Sequence, residues 1–127
     1  VTSEPFQYAT LRVVPRLDRE EFVNVGVIVF CRTRAFLQAE VKLDLARLQS
    51  LAPVSDLDAL SAALEARVKI AAGDAAAGPV AELPQSERFH WLVAPSSTMI
   101  QTSAVHSGLC EDPDETLRNL FASLVSS

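Results

Sequence analysis

Phe22-Val-Asn-Val-Gly-Val-Ile-Val-Phe-Cys31 is a ten-residue run in which only Asn24 and Gly26 interrupt an apolar, β-branched pattern. Such a run is most simply a central strand, covered by protein on both faces. The two exceptions are the residues that need a reason. They lie two apart, which predicts that they share one face of the strand.

Before this run, Phe6 to Val14 reads as a first strand, with Tyr8, Thr10 and Arg12 on one face and Ala9, Leu11 and Val13 on the other. Pro15 is expected to end it, because proline cannot donate to the next ladder bond. Arg16 to Glu21 is then a charged turn into the apolar run. After the run, the polar corner Arg32-Thr-Arg34 precedes a third strand, Ala35 to Leu43, in which Leu37, Ala39 and Val41 alternate with Phe36, Gln38 and Glu40. Connectors this short permit only antiparallel neighbours, so the three strands should form a meander.

The period then changes. Asp44 is placed to cap a short helix carrying Leu45, Leu48 and Leu51, stopped by Pro53. Ser55 is the expected N-cap of a longer helix from Asp56 to about Ala72, with Leu57, Leu60, Leu64, Val68 and Ala71 at helical spacing and Gly73 as its stop. Residues 73–86, rich in Ala, Gly and Pro, read as a mobile connection with one helical turn near Pro84 to Glu87. Phe89 to Ala94 returns to strand character, which would turn Phe89 and Trp91 to one face as core. Met99 to Ser103 is a second late strand, with Pro95 to Thr98 as the turn between. Asp112 caps a last helix with Pro113 at its first position, Asp114 and Glu115 in its first turn, and Leu117, Leu120, Phe121 and Leu124 as its apolar stripe. The order β-β-β-α-α-β-β-α predicts an α+β fold, a mainly antiparallel sheet with helices packed against it.

The 127 residues suit a single domain, 1–127, with one core. Nothing approaches eighteen consecutive apolar residues, which argues against a membrane-spanning helix. The first residues lack a basic start followed by an apolar core, and the two cysteines make no disulfide framework, so a reducing cytoplasm is expected. The net charge of −5 is uneven: residues 1–47 hold seven basic against six acidic side chains, and the remainder four against ten. Such a chain is a poor electrostatic match for duplex DNA or an anionic membrane. Arg12, Arg16, Arg19, Arg32 and Arg34 are the local exception, interleaved with Asp18, Glu20 and Glu21. Nucleic-acid binding would require those five arginines to form one patch.

The blocks Tyr8-Ala-Thr-Leu-Arg-Val-Val-Pro15 and Glu21-Phe-Val-Asn-Val-Gly-Val-Ile-Val-Phe-Cys31 resemble the bacterial domain-of-unknown-function family 3037. Arg88-Phe-His-Trp-Leu92, Ser97-Thr98, Gln101, Val105-His-Ser-Gly108 and Asp112-Pro113 resemble its second half. The resemblance carries no catalytic residues and no cofactor. Because members are often encoded beside HipA-like kinases, it implies such a kinase as partner and a protein-interaction role. It says nothing of oligomeric state.

Two readings of the polar positions stay open. In one, Arg12, Glu21, Asn24, Gln101 and His106 converge on a polar cleft that binds a small ligand or supports a reaction, with Gly26 permitting close approach. In the other, Asn24 satisfies a backbone group, Arg12 pairs with Glu21, and Gly26 relieves crowding or marks a bulge. Ser96, Ser97, His106 and Asp112 contain the residue types of a nucleophilic triad but lack a nucleophile-elbow sequence. His106 and Cys110 have no second close pair with which to hold zinc.

Overall fold

A computed structural model of the chain describes residues 2–51, 53–96 and 98–126. Three strands open the fold: β1 (Glu4–Arg16), β2 (Glu21–Cys31) and β3 (Phe36–Val41). The helices α1 (Leu45–Leu51), α2 (Leu57–Ala72) and α3 (Gln85–Val93) follow, then β4 (Ile100–Thr102), β5 (His106–Cys110) and α4 (Pro113–Leu124). The sheet is antiparallel in the order β3-β2-β1, with β4 and β5 end to end along the outer edge of β1. The α+β class and the three-strand meander stand.

Both faces of β2 are covered, as its apolar run requires. One core layer joins Val23, Val25, Ile28 and Phe30 to Leu48 of α1, Leu60 and Leu64 of α2, and Phe89 and Leu92 of α3. The opposite layer joins Phe6, Val27, Val29 and Cys31 to Leu117 of α4. No helix among the described residues is long and apolar enough to cross a membrane.

Asn24 and Gly26 do not share a face. Arg12 pairs with Asn24 and Leu11 with Gly26, so Val25 is an extra residue on β2. This bulge reverses the alternation. Asn24 faces α4, where its Nδ2 donates to the Leu124 carbonyl. Gly26 faces the opposite core, beside Leu11 and Val41.

Several other boundaries move. β1 continues through Pro15, because Arg16 still pairs with Glu21 after an irregularity. Asp56, and not Ser55, caps α2: its Oδ1 accepts the Ala59 amide at 2.9 Å. Gly73 ends α2 at a φ of 76°, a left-handed conformation that favours glycine. Within 73–84, two 3₁₀ turns (Ala75–Ala77 and Pro79–Glu82) bury Ala81. The predicted strand Phe89 to Ala94 is instead the body of α3. Gln85, Arg88, Phe89, Leu92 and Val93 all turn inward at helical spacing, and the Arg88 Nη1 donates to the Leu83 carbonyl at 2.6 Å. The order is therefore β-β-β-α-α-α-β-β-α. His106, which lies beyond the second late strand expected over Met99 to Ser103, opens β5 opposite Tyr8. Of the turn predicted over 95–98, Ser97 lies outside the described residues.

β4 and β5 behave as one interrupted strand. Their registers on β1 differ by one residue, and Ser103 fills the break. Its amide donates to the Thr10 carbonyl and its Oγ accepts the Thr10 amide, both at 2.9 Å.

The predicted cap of α4 is present: Asp112 Oδ1 accepts the Asp114 amide at 3.1 Å, with Pro113 at the first position. Replacing Asp112 by alanine should cost about 1 kcal/mol, the usual worth of an N-cap side chain. An unchanged urea midpoint would show that this cap contributes nothing.

Candidate functional site

The cross-strand pairs of β1 set one polar row. Asn24 on β2, Arg12 on β1 and Gln101 on β4 are successive partners across the sheet. Arg12 and Gln101 line one concavity of about 270 Å³, whose other walls are Val14, Leu17, Glu20 and Phe22. Two of the five predicted residues thus meet there, and Asn24 borders Arg12 from the side.

Arg12 is held by stacking. Its guanidinium carbon lies 3.9 Å from the centroid of the Phe22 ring, a cation–π contact. Among the described residues no carboxylate reaches ion-pair distance of it. Desolvation holds its pKa below the usual arginine value. Among the described residues its buried Nε has no hydrogen-bond partner, and neither has the buried Oδ1 of the facing Asn24. A donor and an acceptor thus stand unused on adjacent side chains, an arrangement that costs stability unless something bonds them.

The rim of the concavity is apolar. Leu17, 52 % exposed, and Phe22, 42 % exposed, flank the cation. Sequence reasoning missed both. Leu17 sits inside a charged turn, and Phe22 opens a run that is otherwise core. A pair of large apolar residues bracketing the turn after Arg12 was the available signal.

Glu21 and His106 lie apart from this concavity. Glu21 pairs with Arg19 in the β1–β2 turn, and not with Arg12. The His106 ring packs against Tyr8, tilted by 30° at 5.1 Å between centroids. Tyr8 is four residues along β1 from Arg12, roughly 13 Å at strand rise. Asn24 gives one half of its amide to the end of α4.

Three of the five N-terminal arginines are held in ion pairs. Arg16 pairs with Asp18 at 3.0 Å and Arg34 with Glu4 at 3.9 Å, beside the Arg19–Glu21 pair. The Arg16 contact holds the Asp18 carboxyl below its usual range. Among the described residues no group of three or more His, Cys, Asp or Glu is placed to hold a metal ion. Of the triad residue types, Ser97 lies outside the described residues, and the Ser96 hydroxyl bonds Thr98.

Comparison with known protein families gives a match. The family model described as "Protein of unknown function (DUF3037)" covers residues 8–125. No curated protein and no solved structure matches the chain.

Proposed function

The chain belongs to the DUF3037 family, and we propose that it serves as a protein-interaction domain whose Arg12 concavity takes an acidic side chain or chain terminus of a partner. The observation that carries this reading is Arg12 itself: a partly buried cation without a carboxylate among the described residues, stacked on an exposed ring. An arginine and an aromatic side by side are the residue types that dominate binding energy at protein interfaces. Leu17 and Phe22 supply apolar surface around the charge, and Gln101 adds an amide on the far wall. A volume of about 270 Å³ is below the usual span of a small-molecule pocket, roughly 300–1,000 Å³, and suits one anchoring side chain. Glu20 lines the same concavity without reaching ion-pair distance of Arg12, so it leaves the cation to a partner's acid.

A HipA-like kinase, the partner that the family resemblance implies, is the first to test. Co-expression followed by affinity purification should recover the kinase with the parent chain. Replacing Arg12 by glutamate should weaken the complex about 30-fold, the equivalent of a hot spot of ~2 kcal/mol. Equal recovery with Arg12→Glu would reject the concavity as the interface. Failure to recover the kinase with the parent chain would reject that partner.

The ligand-binding or catalytic alternative has weaker support, since Glu21 and His106 lie outside the concavity. Isothermal titration of small dicarboxylates and amides against the parent chain discriminates it: saturable heat abolished by Gln101→Ala would favour a ligand over a protein.

A further inference from the structure

On the other face of the sheet, residues 53–67 and 98–100 enclose an apolar trough of about 450 Å³, within the range of small-molecule sites. Leu60 and Ala63 of α2 form one wall, and Met99 and Ile100 the other. Arg67 and Ile100 also line an adjoining hollow of about 220 Å³, beside Trp91, Pro95 and Ser96. The trough and the hollow meet at one guanidinium.

Arg67 is half-buried, and among the described residues its Nη1 donates only within its own helix, to the Ala63 carbonyl at 2.9 Å. Among the described residues no carboxylate reaches ion-pair distance of it. Desolvation lowers its pKa, as expected of a cation without local countercharge. Its remaining donors match the two oxygens of a carboxylate. Asp56, the N-cap of α2, lines the same trough eleven residues earlier, roughly 16 Å away at helical rise. That carboxylate repels a second acid group and bounds the length of an apolar tail.

We infer that this trough binds an amphipathic monocarboxylate, its acid group on Arg67 and its unbranched apolar tail lying toward Asp56. The trough is distinct from the Arg12 concavity: the two lie on opposite faces of the sheet and share neither the cation nor the apolar walls, while Gln101 borders both the concavity and the adjoining hollow.

Trp91, the single tryptophan of the sequence, borders the hollow and reports binding without a label. Decanoate titrated into the full chain should change Trp91 fluorescence saturably. Decanol, with the same tail and no charge, should bind at least tenfold more weakly, and acetate should give no change. Arg67→Met should lose at least tenfold in decanoate affinity while Arg67→Lys retains most of it. Ala63→Leu, which fills the trough and leaves the cation, should also lose at least tenfold. Absence of saturation by decanoate, equal affinity for decanol, or parent affinity in folded Arg67→Met would each overturn the inference. If Arg67→Met fails to fold by circular dichroism, the decanol comparison on the parent chain decides.

Discussion

Replacing Gly26 by alanine should destabilise the protein by about 3 kcal/mol, the upper end of overpacking costs. A Cβ at this position would lie 2.7 Å from the Glu40 carbonyl oxygen and 2.8 Å from the Val41 Cγ1. The first of these atoms is backbone of β3, which is paired to β2 at Val27, so it cannot retreat without breaking the ladder. Leu11 closes the remaining side at 3.3 Å. Gly108 offers the contrast: the three atoms nearest an added Cβ there all belong to the Phe6 side chain, and none to paired backbone. Gly108→Ala should therefore cost clearly less. Urea denaturation at unchanged m-value checks both. A Gly26→Ala protein within 1 kcal/mol of the parent would mean that β2 and β3 are not packed as described.

The same residue shows how far the sequence could be read. That β2 is central, and that Asn24 and Gly26 are its anomalies, followed from an apolar run with two breaks. Their relation did not follow. A one-residue bulge leaves no mark in the alternation except the glycine, yet it sends Asn24 to α4 and Gly26 to the opposite core. The faces of β1 and β3, the stripe of α2 and the cap of α4 were legible because propensity, period and burial agree there. β5 was not, because an edge strand pairs with one neighbour only and leaves Leu109 73 % exposed, so no apolar alternation advertises it. In the candidate site, Arg12 was placed by its strand face and Gln101 only by its place in a late strand, whereas Glu21 and His106 were chosen chiefly by residue type. Residue type carries no position, and the structure spends those two on a turn and on a tilted ring contact.

The helix α3 was hidden by a charge. Arg88 occupies a core position of the helical stripe Gln85, Arg88, Phe89, Leu92, and an arginine there makes the pattern look like strand alternation around Phe89 and Trp91. The two readings differ in one measurable respect. A strand would turn Phe89 and Trp91 to the same face, so both would be core. In the helix they diverge: Phe89 is 1 % exposed, its ring 5.0 Å from that of Phe30, while Trp91 is 47 % exposed. Phe89→Ala should therefore cost about 3–5 kcal/mol, as for other buried aromatics cut to alanine. Against a total stability of roughly 5–15 kcal/mol, that is enough to leave the weakest such domains unfolded at ambient temperature. Trp91→Ala should cost well under half as much, since half of its surface is already in water. Equal losses for the two substitutions, read from urea midpoints, would restore the strand and remove α3 from the fold.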